Sequence, residues 1–284
     1  MILTLKNIYS EVLCKLKTNN IEMPQLETQI ILEHVTNLKL EKIYTNLNQK
    51  IYSKKINLIR KLTKRIIAGE PIQYVTEHAF FYSLKFFVSR GVLIPRPESE
   101  TIVDLALKIL ESNKYKEVLD LCCGSGCLGI AIYRNCKKKI RVDFSDISKK
   151  SMNICLRNIE KHIKTKNYTT YVRDLYGKSS KKYDLIISNP PYVSQSEYLK
   201  LDKKILNFEP KAALVSKENG FFLTKKIIKK SVRYLNKNGT LIIEVGKNQA
   251  NYVKKIFSSL GFDDIVVSKD LNKINRVVAG KWTK

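Results

Sequence analysis

Residues 118–126 read Val118-Leu119-Asp120-Leu121-Cys122-Cys123-Gly124-Ser125-Gly126, an apolar run that ends in small residues and two glycines. The run has the length of a buried strand, and the apolar spacing after it predicts a helix from Gly126 to Arg134. Gly124 and Gly126 allow a backbone to approach a ligand closely, while the small residues Cys122, Cys123 and Ser125 keep the turn open. Alone, such a turn fits any nucleotide-binding α/β protein or a plain strand-to-helix connection. The surrounding pattern decides what it belongs to.

Downstream, strand-like runs alternate with helical patterns. IRVDFSD precedes a helix from Lys149 to His162, and a strand near Tyr168 to Arg173 precedes YDLIISN. A helix from Gly220 to Leu235, the strand TLIIEVG, a helix from Gln249 to Leu260 and the runs DIVVSKD and NRVVAGK follow. Alternation of this kind predicts an α/β fold with a mostly parallel sheet and helices on both faces.

Upstream the period is helical. Leu5, Ile8, Val12, Leu13 and Leu16 form one stripe, Leu26, Ile30, Ile31 and Val35 a second after Met23-Pro24, and Ile56, Ile59, Leu62, Ile66 and Ile67 a third before Gly69. These stripes predict a small helical bundle over residues 1–70. The aromatic and β-branched stretch IQYVTEHAFFYSLKFFVS suggests a hairpin linker over 71–92, leaving 93–284 as the α/β domain. Two prolines stiffen the loop Ile94-Pro95-Arg96-Pro97-Glu98-Ser99-Glu100 ahead of a helix expected to begin near Glu98.

Composition narrows the classes. With 44% hydrophobic residues in 284, an ordinary core is within reach. No apolar run approaches the ~20 residues of a membrane helix, and Lys6, Asn7 and Glu11 interrupt the N-terminal pattern too early for a signal peptide, so a cytoplasmic protein without membrane attachment is expected. The six cysteines then read as reduced thiols; Cys122-Cys123-x3-Cys127 lacks a second pair or nearby His, and no metal is expected. The formal charge of +26 raises nucleic acid as a partner, but its lysines are spread along the whole chain, the pattern of compositional drift more than of a binding face.

Two further features carry chemistry. Asp146 ends the strand after the glycine turn, at the distance where an acidic residue accepts hydrogen bonds from a ribose diol. An adenosine-containing cofactor follows, with NAD and S-adenosylmethionine both open. Asn189-Pro190-Pro191-Tyr192 then ends the run Ile186-Ile187-Ser188 at the carboxyl edge of the sheet. The Asn189 side-chain oxygen and the Pro190 carbonyl can accept both hydrogens of a planar amino or amide group, and Tyr192 can offer it a flat surface. Holding both hydrogens pushes electron density onto the nitrogen and makes it a nucleophile.

Asp-x-x-x-Gly-x-Gly followed by Asn-Pro-Pro-Tyr resembles the S-adenosylmethionine-dependent methyltransferases of the seven-strand, Rossmann-like type that act on exocyclic or amide nitrogen. Gly69-Glu70-Pro71-Ile72-Gln73-Tyr74, Ile94 to Glu100, Phe208-Glu209-Pro210, Glu244-Val245-Gly246 and Arg276-Val277-Val278-Ala279-Gly280 extend the resemblance to the peptide-chain release factor glutamine methyltransferases over nearly the whole chain. It implies methyl transfer from S-adenosylmethionine to the glutamine amide of the Gly-Gly-Gln motif of release factors, with the N-terminal bundle recognising that substrate. Asp120, Cys122, Cys123, Gly124, Ser125, Gly126, Asp146, Leu175 and Asn189 would then hold the cofactor, with Leu175 beside the adenine. Asn189, Pro190 and Tyr192 would be catalytic, and Asn189 to Tyr192 together with Arg96 and Glu98 would meet the substrate, unless those last two are a structural ion pair. A glutamine of a large-subunit ribosomal protein and the adenine amine of DNA or RNA are the alternative acceptors. Cys122 and Glu77 stand where the family usually has glycine, so Cys122 should fit only if its backbone has no need of positive φ.

Overall fold

The computed structural model describes residues 2–284, and its contacts divide the chain into Met1–His78 and Ala79–Lys284.

In the first unit, helices Leu5–Thr18, Pro24–Thr36, Leu40–Thr45 and Ser53–Ile67 enclose a core of Leu5, Ile8, Val12, Leu16, Ile31, Leu32, Ile56 and Ile59. The Thr4 hydroxyl caps the first helix by accepting from Asn7 N, and Pro24 opens the second. Two features depart from the expected all-helical bundle. Ile2–Thr4 and Lys50–Tyr52 pair as a short antiparallel ladder, and Leu26 is 44% exposed while Thr28 and Leu32 take its place on the buried face. Beyond the last long helix, the Arg65 guanidinium makes a two-pronged bond to Glu70, Nε to Oε2 at 2.8 Å and Nη2 to Oε1 at 3.0 Å. It also donates to the Tyr74 and Val75 carbonyls, so one cation closes the single helical turn Ile72–Val75 over a buried carboxylate.

The hairpin strands are His78–Phe81 and Leu84–Phe87. Tyr82 and Ser83 both have positive φ, the backbone that a two-residue turn needs to match strand twist. Phe81 and Phe86 bury their rings in the core of the second unit.

That unit is built on seven strands: β1 Glu117–Leu121, β2 Arg141–Asp146, β3 Tyr168–Val172, β4 Tyr183–Ser188, β5 Leu235–Glu244, β6 Asp263–Lys269 and β7 Asn275–Trp282. Their spatial order is β3-β2-β1-β4-β5-β7-β6. β1 to β5 are parallel, and β7 runs antiparallel to both β5 and β6. The main helices are α1 Glu100–Ser112, α2 Cys127–Asn135, α3 Lys149–His162, α4 Phe222–Ser231 and α5 Ala250–Leu260. The predicted mostly parallel sheet is present with two boundary changes. A single 3-10 turn, Pro97–Ser99, precedes α1, which starts at Glu100 and not near Glu98. α4 stops at Ser231 and β5 starts at Leu235, where a bulge against β4 absorbs the polar residues around Asn238 and Gly239.

One face of the sheet buries Val118, Val142, Phe144, Leu185 and Ile187 under α1, α2 and α3; the other buries Leu119, Leu121, Ile186, Leu241 and Ile243 under α4 and α5. Alternate residues of each strand therefore serve opposite cores. That explains why β1 and β4 read as continuous apolar runs.

Candidate active site

From β1 the chain moves to β2 on one side and from β4 to β5 on the other, so loops leave the carboxyl ends of β1 and β4 in opposite directions and open a crevice. A cavity of about 220 Å³ lies there, lined among others by Arg96, Ser99, Cys122 to Ser125, Ser145 to Ser148, Arg173 to Leu175, Asn189, Pro191 and Pro210.

The glycine turn forms its floor. Gly124 has φ +54°, and a Cβ added to it would touch only Val92 at 3.5 Å, which leaves the space beside that backbone to a ligand. Gly126, at φ +77°, is needed for a different reason: a Cβ there would strike the Cys155 sulfur at 2.6 Å. The buried Asn158 amide of α3 steadies the turn, donating to Ser125 O and Phe87 O while accepting from Phe87 N. Cys122 contradicts the expectation stated for it, because its φ is +60°. It is a half-buried residue packed on the second core and followed by a bond from Cys123 N to Ser145 O, and these neighbours hold a conformation that costs a side-chain-bearing residue about 1–2 kcal/mol. Glu77 has φ +59°, so both positions where the family usually has glycine are left-handed.

Asp146 reaches the cavity from the end of β2. Its Oδ2 accepts from Gly124 N at 2.9 Å and its Oδ1 from Ser148 N at 2.8 Å. Burial raises its pKa against these bonds, which favour the carboxylate. Asp120 is placed differently. It is fully buried beneath the turn, bonds Gly129 N at the start of α2 at 2.9 Å, and does not line the cavity. Its Oδ1 has no partner, and burial lifts its pKa to about 7. Leu175 lines the cavity at φ +50°, its carbonyl accepting from Ser145 Oγ at 2.8 Å.

Asn189 follows β4 directly. Its Nδ2 donates to Ser99 Oγ at 2.9 Å, Ser99 Oγ donates to Glu244 Oε2 at 2.5 Å, and Tyr192 Oη donates to Glu244 Oε1 at 3.0 Å. Glu244, at the end of β5, is 1% exposed. Burial pushes its pKa to about 7, with Glu98 raising it further and Arg276 opposing. Asn189 and Pro191 line the cavity, whereas Pro190, Tyr192, Gly126 and Glu98 do not. Arg96 lines it too, and its ion-pair partner is the buried Glu209, not Glu98. Glu209 also accepts from Ile94 N at 3.3 Å, so one carboxylate fastens the proline loop at two points.

Ser99 and Glu244 were legible as parts of matching segments and not as neighbours of Asn189. Each is separated from it by 90 or 55 residues, and the contact arises from the register that sets Ser188 beside Ile243.

This strand order, with the glycine turn, the acidic strand end and Asn-Pro-Pro-Tyr, of which Asn189 and Pro191 line the same cavity, defines a Rossmann-like methyltransferase. The model of the Methyltransferase small domain matches residues 99–216, and that of the PrmC N-terminal domain matches residues 8–76. The Release factor glutamine methyltransferase of Thermodesulfovibrio yellowstonii is 37% identical over 89% of this chain and 90% of its own length. The chain belongs to the release factor glutamine methyltransferase family. A Bifunctional methyltransferase of Rickettsia typhi is 34% identical over 97% of this chain, which spans 57% of that relative's length. In fold, a methyltransferase from Pyrococcus furiosus is similar with a TM-score of 0.52 at 15% identity, over 82% of this chain and all of that one.

Proposed function

We propose that the chain methylates the side-chain amide nitrogen of a glutamine in a peptide-chain release factor, the glutamine of its Gly-Gly-Gln motif, with S-adenosylmethionine as donor. The observation that carries this reading is the Asn189 amide, fixed by Ser99 beside a cavity that also holds Asp146 and the open backbone of Gly124.

The cavity residues fit the donor. The Asp146 carboxylate suits a ribose diol, Leu175 an apolar purine face, and the space where Gly124 lacks a Cβ suits close contact with backbone. Cys122, Cys123 and Ser125 complete the wall. When bound, S-adenosylmethionine supplies a methyl group on an electron-poor sulfonium. The chain's own residues prepare the acceptor. Because Asn189 Nδ2 is committed to Ser99, its Oδ1 is the atom left to accept a substrate N–H, and the Pro190 carbonyl can take the second. Accepting hydrogen bonds from both N–H groups polarises those bonds and raises electron density on the nitrogen, which gains the methyl group and gives up one of its two protons to solvent. Tyr192, bonded to Glu244, stiffens the loop that carries these acceptors. Pro191 and Arg96 line the side from which a substrate loop would enter, and a Gly-Gly-Gln tip has no side chains before the glutamine to collide with them. Glu98 lies on the adjoining turn, outside the cavity lining. The helical first unit is the part assigned to recognising the rest of the release factor.

The test is a transfer assay with methyl-labelled S-adenosylmethionine and purified release factor, ribosomal subunits or DNA, followed by mass spectrometry of the labelled product. Label on the Gly-Gly-Gln glutamine is expected. Label on a ribosomal-protein glutamine or on adenine in preference would replace this reading with the corresponding acceptor.

A further inference from the structure

Glu244 is a carboxyl group in full burial that contributes nothing to the core and does not touch the cavity. Its two oxygens are nonetheless both used, one by Ser99 and one by Tyr192. A carboxylate can only accept, so the Ser99 hydroxyl must spend its single hydrogen on Glu244. Ser99 Oγ then has only lone pairs to offer Asn189, and the one end of the Asn189 amide that can meet a lone pair is its NH₂. The charge on Glu244 therefore dictates, two hydrogen bonds away, which way an otherwise symmetric-looking carboxamide is turned.

We infer that Ser99 and Glu244 are positioning residues whose hydrogen-bond polarity holds Asn189 with Nδ2 inward and Oδ1 toward the substrate amide. The inference rests on the proposed reaction at this site. Protonation reverses the logic: a neutral Glu244 can donate to Ser99 Oγ, which frees the serine hydrogen for Asn189 Oδ1 and allows the amide to turn its NH₂ toward the substrate. An NH₂ group facing an NH₂ group cannot activate it. The charged and titratable groups facing Glu244 are Arg276 of β7, which favours the carboxylate and is itself bonded to Asp270, Glu98 from the 3-10 turn, which opposes it, and the Tyr192 hydroxyl. Burial is the largest influence and brings the switch between the two polarities to neutral pH.

The test compares wild type, Ser99→Ala, Ser99→Thr and Glu244→Gln, with cofactor affinity, kcat and KM measured from pH 5.5 to 9. Wild-type kcat should rise with pH through a midpoint near 7 while cofactor affinity stays level. Ser99→Ala should lower kcat by roughly tenfold to a hundredfold at pH 8, abolish that rise, and leave cofactor affinity within about twofold. Ser99→Thr, which keeps the hydroxyl, should recover most of the loss and retain the rise. Glu244→Gln should flatten the profile, its amide presenting one donor and one acceptor at every pH. A Ser99→Ala enzyme with wild-type kcat, or one that keeps the pH limb, overturns the inference. A readout without substrate separates this from failure of the proposed reaction: the side-chain ¹⁵NH₂ resonance of Asn189, assigned by its loss in Asn189→Asp, should titrate with Glu244 in wild type and not in Ser99→Ala. If wild type labels no release factor but the resonance titrates, the relay stands and the substrate is wrong; a resonance indifferent to pH and to Ser99→Ala removes the relay.

Discussion

Replacing Asp146 with alanine should produce two losses that can be measured apart. In the protein without cofactor, the carboxylate accepts from Gly124 N and Ser148 N. Both residues border the cavity, so water can reach the freed N–H groups, and each costs near the low end of the ~1–3 kcal/mol of an orphaned donor. Removing a partly desolvated carboxylate returns some of that. A net destabilisation of roughly 1–2 kcal/mol follows, or a melting temperature lower by about 2–8 °C for a domain of this size. Cofactor binding should fall further, because the hydrogen bonds of a diol to a charged acceptor contribute about 1.5–3 kcal/mol, or one to two decades in Kd. Calorimetric titration with S-adenosylhomocysteine, which binds without turnover, measures the second loss, and thermal unfolding without ligand measures the first. Asp146→Asn, which keeps one acceptor and turns an NH₂ toward the other donor, should lie between. A lowered melting temperature with unchanged Kd would refute the reasoning and leave Asp146 as a brace for the turn alone.

Asn189→Ala should keep cofactor affinity nearly intact while kcat falls by about 10²–10³, as when one preorganised contact is deleted; single-turnover methylation of release factor checks this. Glu77→Gly should raise stability in urea by about 0.5–1 kcal/mol, since relief of a left-handed, exposed residue exceeds the added chain entropy of glycine. The same change at Cys122 should be close to neutral, because a half-buried side chain is lost with the strain. Asp120 and Glu244 each keep a proton to about pH 7 in the folded chain and release it near 4 in the unfolded one. Their contribution is complete below that lower value and fades as pH rises to 7, so stability should drop by a few kcal/mol between pH 5 and 8, at ~1.4 kcal/mol per pH unit for each group. Asp120→Asn, which mimics the protonated form, should flatten part of that slope in thermal melts.

The parts of the fold that depend on local pattern were readable in advance. β1, its glycine turn and α2 follow from apolar run, small residues and helical spacing within nineteen residues, and Asp146 and Asn189 occupy the strand ends where such folds bind ligands. What escaped reading was set by long-range geometry. The strands Ile2–Thr4 and Lys50–Tyr52 are too short to show a period of two. Leu26 sits on a helix whose buried face is rotated to Thr28 and Leu32, a choice made by its neighbours in the bundle. Arg96 finds Glu209 across 113 residues instead of Glu98 beside it, a pairing set by where the proline loop meets the rest of the unit. Cys122 accepts positive φ because packing around the turn outweighs its intrinsic preference.

Asn158 binds the backbone of Phe87 on one side and of Ser125 on the other. Those partners are 71 and 33 residues away along the chain. The floor of the cavity is therefore finished only when the hairpin has docked and α3 has formed, so it is a product of long-range contacts and not a local turn that exists beforehand. A ligand seated on that floor therefore draws on contacts made far outside the cavity, and gathers on molecules whose distant segments have met.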